Sequence, residues 1–247
     1  MKPATPIITQ KNSIMSLIVE GNIGAGKSTF LKIISDYLAI NPIMEPLDEW
    51  QYINGENLLQ KFYQDTKRWA YTFQSYAFVT RIRQQEKIMA QNPHAIHVIE
   101  RSVYSDRYCF AKNCYEMGTM SELEWYLYQE WFEWLVENYT TKPTGFIYLY
   151  TDPEVCYERL IKRNRSAESN ISLDYLKLLH IKHTDWLIDK KDVATNLVDV
   201  PVLVLETNTE FENNREEQKK HVEKIASFFN IDLNTSNQDQ KANMLLL

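Results

Sequence analysis

A cluster of glycines near the start of the chain has the clearest chemistry. Three of the six glycines lie within the stretch VEGNIGAGKSTFLK, between Gly21 and Gly26. With the Lys and Ser that follow they match G-x-x-x-x-G-K-[ST], a loop whose backbone N–H groups surround phosphate oxygens. Glycines allow this backbone path because no Cβ stands in the way. We therefore predict that a nucleoside triphosphate binds to Gly21, Asn22, Ile23, Gly24, Ala25, Gly26, Lys27, Ser28 and Thr29.

The residues that close this loop predict how a phosphate would be held. Lys27 has the reach to contact the outer phosphates, the hydroxyl of Ser28 suits Mg²⁺, and a helix N-terminus adds partial positive charge. The loop follows a predicted strand and opens a predicted helix, as this motif requires. An ordinary glycine turn is the alternative, but the pattern is rare by chance in a chain so poor in glycine. Because the sequence lacks the Asn-Lys-x-Asp motif that reads guanine, a small kinase is favoured over a GTPase.

Two further groups of residues have types suited to phosphoryl transfer. Glu45 follows a predicted strand beside the loop, where a carboxylate could accept the proton of an attacking hydroxyl. Arg101, at the end of another predicted strand, could pair with Glu45 and hold it ionised. A surface or capping Glu and a purely structural ion pair are the alternatives. Three guanidinium groups could stabilise a transferring phosphoryl group, or form a solvated basic face: Arg159, Arg163 and Arg165.

A set of polar and aromatic residues has spacing suited to a nucleobase. Gln74 and Arg81 are seven residues apart on one predicted helix, so they share a face. The side-chain amide of Gln74 can donate and accept hydrogen bonds at once, which matches the edge of a nucleobase. Asp106 could form an ion pair with Arg81 beside this amide. Three aromatic side chains could enclose the base, although core packing would explain each of them alone: Trp50, Phe73 and Phe110.

The hydrophobic pattern supplies the elements that would bring these residues together. Strands are predicted over 14–20, 43–45, 95–99, 146–150 and 202–205. Helices are predicted over 28–40, 57–91 with a break near Asp65, 121–139 with a Ser121–Glu124 capping box, 153–162, 173–190 and 215–229. This alternation predicts an α/β fold of the P-loop NTPase type, a parallel sheet of about five strands flanked by helices.

Length and composition bound the domain organisation and the partners. The chain has 247 residues, of which 44% are hydrophobic. We predict one domain over 14–230, between a disordered lead, 1–13, and a flexible tail, 231–247. The net charge of −6 argues against binding to nucleic-acid polymers or to acidic membranes, and no apolar run approaches the length of a membrane span.

Cysteine usage and the first residues bear on location. The three cysteines form no metal-type pair, which indicates a reducing compartment. The stretch MKPATPIITQKNS lacks both the apolar core of a signal peptide and the arginines of a mitochondrial transit peptide. A cytoplasmic location is therefore expected, with a nuclear one as the alternative.

Five stretches in sequence order resemble the deoxynucleoside kinases of the deoxycytidine/deoxyguanosine kinase family. They are Glu45-Pro46 with Trp50, then Tyr63, RWAYTFQSYAFVTRIRQQ (68–85), ERSVYSDRY (100–108) and RNRSAESNISLDYLKLLHIKHTDWL (163–187). The resemblance runs from about residue 14 to residue 229, and other phosphate-loop kinases do not share this set. It implies transfer of the γ-phosphoryl group of ATP, or of another nucleoside triphosphate, with Mg²⁺, to the 5′-hydroxyl of a deoxynucleoside in nucleotide salvage.

The resemblance also implies roles for residues around the reacting atoms. Glu45 acts as the general base, and Arg101 orients the attacking oxygen. Glu100 helps to bind Mg²⁺. The pair of Tyr63 and Glu168 holds the 3′-hydroxyl of the deoxyribose.

Further implications concern the lid, the base and the quaternary structure. The RNR stretch at 163–165 belongs to a mobile, arginine-bearing lid, and the loop that contacts adenine falls at Glu210 and Phe211. In this family an Arg81–Asp106 pair with a small residue at Ala77 goes with deoxycytidine and purine deoxynucleosides rather than thymidine. A homodimer is implied, and the apolar faces of 69–88 and 121–138 suggest that these helices pair.

Two other functions remain open at this point. A nucleoside monophosphate kinase of the thymidylate-kinase type shares the loop and an Asp-Arg-Tyr stretch, but it would need arginines for the acceptor phosphate where this chain has Glu45 and Gln74. A nucleotide-binding protein without catalysis is the second alternative. The intact Lys27, Ser28 and Arg101 argue against it.

Overall fold

The computed structural model describes residues 15–233, and its centre is one five-stranded sheet. The strands follow the order β2-β3-β1-β4-β5, and every pair is parallel. This confirms the predicted fold class. The strands are β1 Ser16–Gly21, β2 Ile40–Ile43, β3 Ile96–Glu100, β4 Gly145–Tyr150 and β5 Val202–Glu206.

Helices connect the strands and pack against both faces of the sheet. A π-helical turn spans Asp106–Ala111 and a 3₁₀ turn spans Ser166–Glu168. The α-helices are α1 Lys27–Tyr37, α2 Leu47–Gln51, α3 Leu58–Gln64, α4 Thr66–Gln91, α5 Val103–Ser105, α6 Lys112–Glu116, α7 Glu122–Tyr139, α8 Pro153–Arg163, α9 Leu173–Leu187, α10 Thr195–Val198 and α11 Arg215–Phe229.

The sheet places the phosphate loop at the position where α/β proteins bind ligands. Every residue of β1 is buried, as expected for a central parallel strand with helices on both faces. After β1 the chain proceeds outward to β2 and β3 on one side, then crosses to β4 and β5 on the other. Ligands bind outside the carboxyl ends of the strands at such a switch point. The loop that follows β1 lies there.

The predicted helix breaks and caps are confirmed. Asp65 separates α3 from α4, and its side chain accepts a hydrogen bond from the N–H of Arg68 at 3.1 Å. Ser121 and Glu124 form the predicted capping box, in which the N–H of Ser121 donates to the Glu124 carboxylate at 2.8 Å. These features could be predicted from the sequence because in each one a side chain accepts a hydrogen bond from a backbone N–H of the first helical turn.

Two predicted boundaries around the second strand are wrong. The first helix ends at Tyr37, not at 40, and β2 occupies 40–43 rather than 43–45. The chain is already extended at Leu38, with φ of −116° and ψ of 145°, and Leu38 forms a bridge with Leu233. Strand β2 therefore begins at Ile40 and includes Pro42. Proline lacks an N–H, yet it fits an edge strand, and β2 lies at the edge of the sheet.

The ends of the predicted domain are only partly within the described residues. Ile231 is buried, and Leu233 forms an isolated bridge with Leu38, so both pack against the domain. The predicted lead over 1–13, Ile14 and the rest of the predicted tail lie outside the described residues. Within residues 15–233, no helix combines the length and the apolar character that a membrane crossing requires.

Candidate active site

One cavity of about 490 Å³ opens at the carboxyl ends of the strands. Three predicted loop residues, Gly21, Asn22 and Ala25, support the loop without lining the cavity. The other predicted site residues all line it: Ile23, Gly24, Gly26, Lys27, Ser28, Thr29, Glu45, Trp50, Tyr63, Phe73, Gln74, Ala77, Arg81, Glu100, Arg101, Asp106, Phe110, Arg159, Arg163, Arg165, Glu168, Glu210 and Phe211.

The phosphate loop depends on glycine at its last position. Gly26 caps α1 with φ of 93°, a left-handed conformation that side chains rarely adopt. A Cβ at this position would lie 2.8 Å from the Phe211 ring. On the other side, the amide of Asn22 donates to the carbonyl of Leu176 at 2.8 Å. The loop is therefore fixed by contacts to segments far along the chain.

Lys27 is buried within the loop that it belongs to. Its ammonium donates to the carbonyls of Asn22 at 2.7 Å and Gly21 at 3.1 Å. Burial and the nearby guanidinium of Arg101 lower the pKa of Lys27 to about 7. An anion in the loop would favour the charged form, so this environment suits a bound phosphate.

Ser28 and Glu100 meet at the mouth of the loop. The Ser28 hydroxyl donates to Oε1 of Glu100, and the N–H of Glu45 donates to Oε2 at 3.3 Å. A hydroxyl and a carboxylate side by side provide the hard oxygen ligands that Mg²⁺ takes, alongside phosphate oxygens and water. Among residues 15–233 no group of three or more His, Cys, Asp or Glu suits a metal, but Mg²⁺ in a kinase does not require one.

Glu45 lies within a buried network of charges. Its Oε1 accepts from Arg81 Nη2 at 2.9 Å and lies 3.4 Å from Arg101 Nε. Arg81 also donates from Nε and Nη2 to both carboxylate oxygens of Asp106, at 2.9 and 3.2 Å. Arg81 therefore joins the predicted base to the residue predicted to read the nucleobase. Sequence spacing suggested the two pairs separately, but not that one guanidinium would join them.

The charges of this network decide the ionisation of Glu45. Burial acts to raise the pKa of its carboxyl, but the guanidinium groups of Arg81 and Arg101 outweigh burial and hold that pKa below the usual value. Glu45 is thus a carboxylate at neutral pH. An ionised carboxylate at the edge of a cavity can accept a proton from a bound hydroxyl.

Aromatic rings form a chamber beside the network, which we call the aromatic chamber: Trp50, Phe62 and Phe73. Phe73 stacks on Phe62 at 4.7 Å between ring centroids and meets Trp50 edge-on at 5.6 Å. The indole N–H of Trp50 is fixed by the hydroxyl of Thr80, at 2.9 Å. Phe110, predicted to enclose the base, lines the cavity and also carries the guanidinium of Arg101 over its ring at 4.6 Å.

Two buried polar groups of residues that line the cavity lack a hydrogen-bond partner within residues 15–233. Nε2 of the buried Gln74 and Nη1 of the buried Arg101 have no hydrogen-bond partner among the described residues. Buried polar atoms are nearly always paired, so each such donor indicates an acceptor that a ligand would bring. Gln74 lies at the chamber, and Arg101 lies beside Glu45.

The predicted lid residues are paired with one another in this conformation. Arg163 and Arg165 both donate to Glu168, the latter at 2.9 Å to Oε1. Arg159 is held differently, because it donates to the carbonyls of Ala25 at 3.3 Å and Thr207 at 2.8 Å. Arg159 thereby ties the phosphate loop to the loop that carries Phe211. The two lid arginines can exchange Glu168 for another anion, while Arg159 already has a structural role.

Five residues that line the cavity were missed in the sequence: Leu47, Leu59, Phe62, Lys162 and Glu212. The apolar ones carry an ordinary core pattern, so nothing in their spacing separates a cavity wall from a core. Lys162 directly precedes the RNR stretch, so its position next to the predicted lid arginines could have indicated that it lines the cavity.

The chain is similar to known deoxynucleoside kinases over most of its length. A family model described as "Deoxynucleoside kinase" matches residues 17–230, which include every residue that lines the cavity. Deoxycytidine kinase 2 of Gallus gallus is 40% identical over 241 residues, which cover 87% of this chain and 90% of that protein. The mitochondrial deoxyguanosine kinase of Xenopus laevis is 41% identical, with 81% and 84% covered. Deoxycytidine kinase of Homo sapiens is 36% identical, with 92% and 95% covered.

Proposed function

This chain belongs to the deoxynucleoside kinase family, and we propose that it transfers the γ-phosphoryl group of ATP, or of another nucleoside triphosphate, to the 5′-hydroxyl of deoxycytidine or a purine deoxynucleoside in preference to thymidine. The observation that carries this proposal is the buried network of Glu45, Arg81, Arg101 and Asp106. It adjoins the phosphate loop through Glu100 and the aromatic chamber through Trp50, whose ring lies 5.3 Å from the Arg81 guanidinium.

Glu45 is the general base of the proposed reaction. Its carboxylate accepts the proton of the 5′-hydroxyl while that oxygen forms a bond to the γ-phosphorus. The bond from the γ-phosphorus to the bridging oxygen breaks, and the nucleoside diphosphate leaves. Arg101 provides Nη1, which has no hydrogen-bond partner among residues 15–233, beside Glu45 to orient the attacking oxygen.

We propose that the residues around Arg81 and Asp106 in the same network determine which nucleobase is accepted. The Gln74 amide is suited to a base edge that both donates and accepts, and its Nε2 still lacks an acceptor among residues 15–233. The Arg81–Asp106 pair fills the space beside it, where a thymine methyl group would meet two charged side chains. The small side chain of Ala77 leaves room for the ring between them. These contacts support deoxycytidine and purines over thymidine.

We propose that cations of the phosphate loop and of the lid stabilise the negative charge of the transferring phosphoryl group. Lys27 serves the outer phosphates, and the two lid arginines leave Glu168 for the phosphoryl oxygens when substrate binds. Glu168 is then free to join Tyr63 at the 3′-hydroxyl. When bound, Mg²⁺ would neutralise charge on the β- and γ-phosphates, and Ser28 and Glu100 would hold it.

We also propose that the protein works as a homodimer, and helix α7 supports this. Six large side chains of α7 remain between 40 and 68% exposed: Leu123, Tyr126, Leu127, Trp131, Trp134 and Tyr139. Contiguous exposed apolar surface of this kind marks a protein interaction site. Val79 of the neighbouring helix α4 is 47% exposed, and it extends the apolar surface expected to pair.

Turnover with ATP and each of the four deoxynucleosides tests the proposed function. Deoxycytidine or a purine deoxynucleoside should be phosphorylated with the highest kcat/KM, and the product should be the 5′-monophosphate. Lys27→Ala should abolish turnover because it removes the cation for the phosphates. Folding should be retained, because among residues 15–233 the ammonium bonds only to carbonyls of its own loop. Phosphorylation of thymidine monophosphate, or of thymidine before the others, would overturn the proposal. So would nucleotide binding without any turnover.

A further inference from the structure

Glu20 is a buried carboxyl group that the proposed reaction does not use. It is the next-to-last residue of β1 and precedes the phosphate loop, and its side chain has no exposed surface. It does not line the cavity. Burial raises the pKa of the Glu20 carboxyl to about 7, although two cations face it from other elements, Arg101 after β3 and Lys27 of α1. The thiol of Cys109 also lies near.

The carboxyl of Glu20 holds the turn that follows β3. The hydroxyl of Ser102 donates to Oε1 of Glu20 at 2.6 Å. The same hydroxyl accepts from the N–H groups of Tyr104 and Ser105, at 3.2 and 3.4 Å, and so caps helix α5. One residue earlier, the N–H of Arg101 donates to the carbonyl of Val19 at 2.9 Å. The end of β1 therefore holds two successive residues of this turn.

The residue held between these bonds has a strained backbone. Arg101 has φ of 62°, in the left-handed region that non-glycine residues rarely adopt. Such a conformation persists only when the surroundings determine it. This conformation directs the guanidinium of Arg101 over the Phe110 ring and to within 3.4 Å of Glu45.

We propose that Glu20 is a positioning residue, which acts through Ser102 to hold Arg101 in the strained conformation that directs its guanidinium at Glu45 and the attacking oxygen. The inference rests on the proposed kinase function. Glu20 touches neither substrate, and its influence on the rate passes through Arg101. If so, the loss of Glu20 should matter only while residue 101 is an arginine.

A double-mutant cycle tests this dependence. The kcat and both KM values would be measured for the parent, Glu20→Ala, Glu20→Gln and Ser102→Ala, each with Arg101 and again with Arg101→Lys. Glu20→Ala and Ser102→Ala should each lower kcat about ten-fold, since small misplacements of a catalytic group are costly, and leave the KM for ATP within about two-fold. Glu20→Gln keeps the oxygen that accepts from Ser102, so it should retain most of the activity.

The Arg101→Lys background gives the decisive comparison. There, Glu20→Ala and Ser102→Ala should lower kcat by less than about two-fold further. Thr151→Val is the matched control, because it removes another buried hydroxyl, one paired with Thr207 at 2.6 Å, without contact to this turn. Its kcat should stay within about two-fold of the parent, and thermal unfolding would be recorded for every variant.

Three results would overturn the inference. Equal losses of kcat in both backgrounds would show that Glu20 acts independently of Arg101. An unchanged kcat in Glu20→Ala would show that Glu20 does not position Arg101. If Glu20→Ala does not fold, Ser102→Ala decides, because it breaks the same bond from the other side. A parent without turnover on any deoxynucleoside would overturn the proposed function and this inference together, whereas an active parent with additive losses would overturn this inference alone.

Discussion

The neighbours of Glu45 determine whether its carboxyl group can act as a proton acceptor. The carboxyl is taken out of water, which by itself would favour the neutral acid, and two guanidinium groups reverse that preference. The same guanidinium groups lie where a hydroxyl substrate would approach. The residue is thus kept ionised by groups that also form the site.

Replacing Glu45 by Gln should separate catalysis from binding. The shape and part of the hydrogen bonding survive, so the Kd for deoxycytidine should change by only a few-fold. The kcat should fall by roughly 10²-fold or more, the range for a lost general base. Glu49→Gln is the control, because Glu49 is only partly buried, does not line the cavity and pairs with the exposed Arg83. An unchanged kcat with a raised Kd would make Glu45 a binding contact instead.

Lys27 has the opposite property, since its protein environment disfavours its charge. Burial places its pKa at about 7 in the free protein, below the usual 10.5 of lysine. Bound phosphates would favour the ammonium and raise that pKa again. Above pH 7 the lysine of the free protein is largely neutral, so nucleotide binding must take up a proton there, while below that pH the proton is already present.

Calorimetry of ADP binding in buffers of different ionisation enthalpy measures this proton. At about pH 8 the protein should take up close to one proton per nucleotide, and the affinity should weaken as pH rises further. At about pH 6 the uptake should be near zero. Lys27→Met should abolish the difference between the two pH values. The same uptake in Lys27→Met would assign the proton to another group.

Helix α4 and the π-helical turn after α5 bring together residues that are far apart in the sequence. Arg81 lies on α4 and Asp106 begins the π-helical turn after α5, yet their ion pair is buried. In a π-helical turn the extra residue shifts the side chains that follow, and such turns are frequent at functional sites. Asp106 and Phe110 reach the cavity from this turn.

Replacing Arg81 and Asp106 together tests whether this pair sets base choice. Arg81→Met with Asp106→Ala should raise kcat/KM for thymidine relative to deoxycytidine, because the space of the ion pair becomes available to a methyl group. Arg81→Met should reduce stability by about 3–5 kcal/mol, because it leaves the buried Asp106 without its cation. Asp106→Ala should cost less, because Arg81 keeps its contact with Glu45. Catalytic efficiency for four deoxynucleosides and thermal unfolding would be measured on all four proteins.

Arg83→Met is the matched control for this series. Arg83 lies on the same helix two residues further, with its side chain exposed. It should change neither the stability nor the ranking of substrates. If the parent already prefers thymidine, or if the double variant gains no thymidine activity, Arg81 and Asp106 do not set base choice.

The elements also show where sequence reasoning succeeds and where it fails. The phosphate loop could be predicted because the spacing of Gly21, Gly26 and Lys27 is local and its chemistry depends on the backbone. The break at Asp65 and the cap at Ser121 were local for the same reason. The turn at 106–111 has no local signal, since its conformation depends on packing against α4 and α9. The Arg81–Glu45 contact depends in turn on the end of β2 at Ile43, two residues before Glu45, and the sequence pattern placed that strand later.

At the scale of the molecule, helix α7 divides its aromatic residues between two environments. Tyr128 and Phe132 are buried against Phe78 of α4. On the other side, Trp131 and Trp134 contact each other edge-on at 6.2 Å and stay about half exposed. A tryptophan pair on an outer helix face has no role in the core of one chain. A second copy that places the same face against it would bury both rings.

Placing acidic side chains on this face tests the homodimer. Trp131→Glu with Trp134→Glu should convert a dimer into a monomer in sedimentation at micromolar concentration, because like charges would oppose each other across the two-fold axis. The monomer should stay folded, since both rings are half exposed and the buried face of α7 is unchanged. Tyr52→Glu is the control, because this side chain is 77% exposed on the loop after α2 and should leave the dimer intact. A parent that sediments as a monomer, or a double variant that remains a dimer, would show that α7 is not the interface.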